Sequence, residues 1–179
     1  MPNQKRNYMM IVITTILVIG CSGFNAYRQI NNKVKKLEDV FMSNDSSHLS
    51  IHYDLEKIDD CMANSIALSK IYHVKSSRFK KIEKLHKEFE SCHSLVEYKS
   101  WYRDIKVDLP LLFNDIEDCQ LTSQHQKMLS KYQATYQSAI HTISYSEYNQ
   151  LAKDYQKETD GVLAGFIKSL GIREVVTFD

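Results

Sequence analysis

Between Gly23 and Gly161 the chain has no glycine, and the only proline in that stretch is Pro110. Sandwiches, barrels and doubly wound sheets of this size turn sharply many times, and those turns draw on Gly, Asn-Gly and Pro. Long helices need none of them, so the gap assigns the chain to the all-α class.

Hydrophobic spacing fills the gap with helices. Ile30, Val34, Leu37 and Phe41 recur at helical period with charges opposite them, the pattern of an amphipathic helix. Ser43-Asn44-Asp45-Ser46-Ser47 then interrupts it with residues that bond their own backbone. A second helix follows, with Ile51, Leu55, Ile58, Met62, Ile66 and Ile71 on its buried face. Ser76-Ser77 offers a cap or an exposed turn, and Phe79, Ile82, Leu85, Phe89, Cys92 and Val96 carry the pattern to about residue 99, as one bent helix or two.

Further on, Asp108 followed by Pro110 reads as a cap with a first-turn proline, opening a short helix whose inner side is Leu109, Leu112, Phe113 and Ile116. Residues 118–123 read as a connection. A long helix is expected from about Ser123 to Glu158, lined by Met128, Tyr132, Ala139, Ile143, Tyr148, Ala152 and Tyr155 and stopped at Gly161. A brief helix from Val162 to Leu170 closes at Gly171, and the tail with Val175, Val176 and Phe178 is expected to pack on the bundle or touch lipid.

The N-terminal segment sets the expected location. No charged side chain occurs from Asn7 to Tyr27, and Met9 to Ile13 with Ile16 to Ile19 form an apolar heart. Such a helix, rising about 1.5 Å per residue, is roughly as long as the bilayer hydrocarbon is thick. Residues 1–27 are therefore expected to be a transmembrane anchor leading into a bundle over 28–179. Alternatively, Val18-Ile19-Gly20-Cys21 fits a lipoprotein signal, with Cys21 carrying lipid after cleavage. Either way a membrane is the expected partner, in a single-pass arrangement with the bundle outside the cytoplasm.

Lys plus Arg (23) nearly balances Asp plus Glu (22), so no global field attracts nucleic acid. Charge is uneven locally. From Lys75 to Lys87 lie six basic residues, Lys75, Arg78, Lys80, Lys81, Lys84 and Lys87, against the single acid Glu83. That face suits anionic lipid headgroups or an acidic partner, or it is simply the solvated side of a helix whose other side holds Phe79, Ile82, Leu85 and Phe89.

Other polar groupings read more plainly as structure. His48 and His52, four apart, could share a metal, but no third ligand is placed by sequence; the same holds for His86, Glu90 and His93. Cys61, Cys92 and Cys119 are widely spaced, as buried free thiols are. The tyrosines at 132, 136, 145, 148 and 155 read as core and rim packing. Gly161 and Gly165 form a small-residue step suited to close helix approach. No nucleophile elbow, phosphate loop, zinc-protease or dinucleotide motif occurs. The residues thus predict no enzyme and no cofactor, and leave the oligomeric state open.

Two stretches resemble the LemA family of bacterial membrane-anchored helical proteins. After the apolar segment, Phe24-Asn25 with Ile30, Val34 and the acidic run to Val40 is similar to that family's first soluble helix. Leu121, Ser123, Met128-Leu129, Tyr132 and Ile140 leading into Tyr148-Asn149 and Asp154-Tyr155, then Val162 to Phe166 and the terminal Phe178-Asp179, resemble its C-terminal half. The likeness spans roughly residues 24–40 and 119–179. The family's Asp-Leu-Ile-Pro-Asn-like block is missing between 45 and 65, where Tyr53-Asp54-Leu55 stands. The resemblance implies an antiparallel, four-helix-like bundle of long helices with a short C-terminal helix. It further implies a noncatalytic scaffold of the cell envelope, binding other membrane or envelope proteins; a ligand-sensing bundle and a Cys21-anchored lipoprotein are the alternatives.

Overall fold

The computed structural model describes residues 2–43, 50–160 and 171–179; within the first helix, side chains are described at 10, 13, 14 and from 23 onward. Among the described residues the regular structure is entirely helical: α1 (Pro2–Met42), α2 (Ile51–Ile71), α3 (Ser77–Phe89), α4 (Leu95–Glu117), α5 (Ser123–Ser144) and α6 (Glu147–Thr159). The second helix is the hub, packing against α1, α3, α4 and α5, while α6 lies on α1. The all-α expectation therefore holds.

The expected membrane span does not. Among the described residues no helix is long and apolar enough to cross a membrane. From residue 23 onward α1 is amphipathic: Asn25, Arg28, Gln29, Asn32, Lys33, Lys35 and Lys36 are exposed, whereas Val34, Leu37 and Phe41 are buried. A helix with that polar coat is solvated on one side and packed on the other. The side chains at 11–12 and 15–22, including Cys21, lie outside the described residues, so lipidation is untouched by the structure. The single-pass placement in a bacterial cell membrane and the anchored envelope scaffold rested on that span, and the bilayer as a partner rested on it or on lipid at Cys21. None has support among the described residues.

Most buried faces are those the spacing predicts. Ile51, Leu55, Ile58, Met62 and Ile66 are buried on α2, joined by Cys61 and Leu68, but Ile71 is exposed at the helix end. Leu109, Leu112, Phe113 and Ile116 are buried on α4. Val175, Val176 and Phe178 pack on the bundle.

Helix boundaries differ in three places. First, the pattern expected to run from Phe79 to about 99 breaks after Phe89, because Ser94 and Glu97 form a reciprocal capping box that opens α4. Glu97 Oε2 accepts from the Ser94 N–H at 2.9 Å and the Ser94 hydroxyl accepts from the Glu97 N–H at 3.3 Å, so donors that a helix start leaves unpaired are satisfied. Val96 is accordingly exposed. Second, Pro110 lies inside α4 rather than at a helix start. An interior proline costs about 3 kcal/mol through its missing donor and its ring clash. Here the carbonyl that forgoes the bond belongs to Lys106, an exposed residue, which water can reach.

Third, the long helix expected from Ser123 to Glu158 is two helices. It stops at Ser144, turns through Tyr145, and restarts at Glu147 after the N-cap Ser146. Asn149 seals the joint: its Nδ2 donates at 2.7 Å to the Ile143 carbonyl, which also accepts the Ser146 N–H of the turn at 3.2 Å. Gly161 and Gly165, with the expected helix from Val162 to Leu170, lie outside the described residues.

Candidate functional site

The predicted basic face divides in two when folded. Serine 76 caps α3, its hydroxyl accepting from the Phe79 N–H at 3.2 Å, and the cap fixes which side turns inward. Ile82 and Leu85 are buried, as the period requires. Two cations beside that seam are claimed by α4: Arg78 Nη1 donates to Asp115 Oδ1 at 2.7 Å, and Lys81 pairs with Asp108. The Asp108 carboxylate raises the Lys81 amine above its usual range.

The outer stripe is different. Lys80, Lys84 and Lys87 are exposed on successive turns. Lys84 contacts Glu88 on its own helix at 3.1 Å. Among the described residues no carboxylate pairs with Lys75, Lys80 or Lys87. Of the six predicted residues, two are thus spent on holding α3 to α4, and the others face solvent.

The histidines take structural partners. His86 Nδ1 lies 2.7 Å from Asp59 Oδ1, tying α3 to α2, and burial raises the Asp59 carboxyl above its usual range against the pull of that contact. His52 Nε2 sits 3.3 Å from Tyr98 Oη, while His48 lies outside the described residues. The Tyr72 hydroxyl accepts from the Thr122 N–H at 3.1 Å and approaches His125 Nδ1 at 2.7 Å. A phenol oxygen has one proton and two lone pairs, so it bonds both groups at once, whichever imidazole tautomer is present. Among the described residues no group of three or more His, Cys, Asp and Glu is placed to hold a metal.

Cys61 and Cys92 are free and buried, and Cys119 is free and half-buried. Burial pushes the Cys61 and Cys92 thiols up to about 11, far from thiolate reactivity at neutral pH. Two recesses open on the surface. One, of about 190 Å³, lies between α1 and α6 over Leu37, Leu151 and Tyr155, with Lys33 and Glu158 paired across it. The other, of about 520 Å³, lies at the α4–α5 connection beside Cys119, Leu121 and Leu129. The second also has Glu117 and Ser130 in its lining, but each polar group bonds elsewhere: Cys119 Sγ to the Asp115 carbonyl at 3.5 Å, Ser130 Oγ to the Gln126 carbonyl at 3.0 Å, and Glu117 accepts from Gln133 Nε2 at 2.8 Å.

A site that sequence reasoning missed lies at the C-terminus, where residues 172–179 run without helix or strand along α1 and α6. Three side chains of α6 grip their backbone. The Tyr148 hydroxyl donates to the Val176 carbonyl at 2.8 Å, Gln156 Nε2 donates to the Val175 carbonyl at 2.9 Å, and Asn149 Oδ1 accepts from the Phe178 N–H at 2.7 Å. The Phe178 ring, 1% exposed, meets Phe41, Tyr148 and Tyr102 at centroid distances of 5.3, 5.9 and 6.0 Å. Beyond it, Lys153 pairs with the Asp179 carboxylate and, with Thr177, holds it down to about 2. The available signal was the Tyr148-Asn149 pair, but nothing in the sequence links it to a tail almost 30 residues away.

No family model, curated protein or solved structure matches the chain. The likeness to the LemA family gains no support from these comparisons.

Proposed function

We propose that the chain is a noncatalytic helical bundle that binds an acidic protein partner through the outward face of α3. The observation that carries this is the division of charge on that helix. Arg78 and Lys81 are neutralised by Asp115 and Asp108 of α4, leaving Lys80, Lys84 and Lys87 as a solvent-facing row with Lys75 at its N-terminal end. Exposed positive charge on a rigid, capped helix steers an anionic surface into register and contributes most to association rate and specificity. The absence from the sequence of any nucleophile, phosphate-loop or metal-protease motif supports the noncatalytic part.

A test uses the full chain and a fluorescent polyglutamate peptide, read by anisotropy at about 50 mM and about 300 mM salt, conditions that differ about twofold in Debye length. Binding is expected at low salt, is lost at high salt, and weakens at least about tenfold in Lys80→Glu/Lys87→Glu. The control pair Lys127→Glu/Lys131→Glu on α5 changes net charge equally. Equal loss in both pairs, or no loss in the first, would refute the proposal.

A further inference from the structure

We propose that the cleft holding residues 172–179 is a peptide-binding site whose ligand is an extended peptide with an aromatic residue followed by an acidic one, and that the chain's own residues 172–179 are its resting occupant. The grip is built for a backbone. Tyr148, Asn149 and Gln156 bond two carbonyls and one N–H of the tail, groups that any peptide presents in the same extended register. Side-chain selectivity comes from one deep position, the aromatic pocket of Phe41, Tyr102 and Tyr148 around Phe178. A second comes from Lys153 against the Asp179 side-chain carboxylate. Main-chain bonds supply affinity and pockets supply specificity in extended-peptide recognition generally.

The occupant is also of a kind that can leave: residues 172–179 belong to no helix and pair with no strand, so side-chain contacts and not a backbone ladder hold them. What the tail vacates is lined by side chains already anchored in place: Asn149 is fixed by its bond to the Ile143 carbonyl, and Phe41 is packed against Tyr98 and Tyr148 as well as Phe178. A preorganised cleft loses little on exchanging one occupant for another. A tethered occupant holds its place by effective concentration, which sets the competition an incoming peptide must win.

The experiment keeps the full chain and weakens the tail from within. A labelled peptide of residues 173–179, Arg-Glu-Val-Val-Thr-Phe-Asp, is titrated against the wild-type chain and against Phe178→Ala, with Val175→Ser as a milder variant if the first loses helical circular dichroism. Binding to the weakened chain is expected to be at least about tenfold tighter than to wild type, because the internal competitor is impaired. Adding Asn149→Ala, or replacing the peptide's Phe by Ala, is expected to abolish it. Dimerisation of the weakened chain that Asn149→Ala removes would identify a second copy's tail as the incoming peptide, and would also support the site. No binding to either helical variant, or binding that survives both Asn149→Ala and loss of the peptide's Phe, would overturn the proposal.

Discussion

Asn149 is the side chain on which the joint between α5, α6 and the tail turns, and Asn149→Ala removes both of its bonds at once. Its Nδ2 donates to the Ile143 carbonyl and its Oδ1 accepts from the Phe178 N–H, each at 2.7 Å, in a residue that is 3% exposed. The Ile143 carbonyl keeps the Ser146 N–H at 3.2 Å, so the group left unpaired in the core is the Phe178 N–H. An unpaired buried backbone donor costs about 1–3 kcal/mol, and about 2 kcal/mol is the expected loss. For a chain of this length that corresponds to a fall in Tm of roughly 4–8 °C. Urea titration followed by circular dichroism measures the loss directly.

Asn149→Asp separates the two bonds, since it keeps the acceptor for Phe178 but sets a carboxylate against the Ile143 oxygen. A proton on that carboxyl restores the donor, so the folded state holds it more tightly than the unfolded chain does. Stability is then expected to recover as pH falls from 7 toward about 4. A loss below about 1 kcal/mol for Asn149→Ala would refute the reasoning, because it would mean the Phe178 N–H is solvated and the joint is open.

Three further outcomes follow from particular residues. His73, at φ 53°, ends α2 where the Val74 N–H bonds the Ser69 carbonyl at 2.9 Å; that left-handed position favours glycine, so His73→Gly is expected to stabilise the chain by about 0.5–1 kcal/mol in the same urea assay. Asp54 is 1% exposed, and burial raises its carboxyl above the usual range despite Lys57. The folded state therefore binds that proton more tightly, and wild type should gain stability relative to Asp54→Asn as pH is lowered from 7 toward the unfolded value near 3.8; a gap independent of pH would contradict this. Cys61 and Cys92, with thiols raised to about 11, should react with a disulfide reagent at pH 8 only as fast as the chain unfolds, by peptide mapping; immediate labelling would place them at the surface.

Local rules made the inner faces legible. Ile51, Leu55, Ile58 and Met62 stand at helical spacing, and each is buried, because a helix sorts its residues by period whatever it packs against. The Ser94-to-Glu97 capping box was also present as a sequence pattern, though the apolar spacing running through it from Phe89 to Val96 pointed the other way. Pro110 misled because Asp108 before it imitates a cap, whereas Asp108 in fact faces Lys81 of α3. The break at Tyr145 was hidden because Ile143 and Tyr148 preserve the buried stripe on both sides of it. Of the candidate sites, the basic residues were visible, but which of them α4 neutralises depends on the pairing of two helices. The tail cleft was invisible for the same reason: Tyr148 and Val176, or Glu38 and Arg173, meet only in three dimensions.

The central claim is that residues 172–179 are clamped by side chains of α6 in the resting chain. Native-state hydrogen exchange at the Phe178 amide, which donates to Asn149 Oδ1, tests it most directly. Slowing of at least about a hundredfold relative to an unstructured peptide is expected, equivalent to about 2.7 kcal/mol of opening free energy, and Asn149→Ala should abolish it. Exchange at the unstructured rate in the wild-type chain would contradict the account.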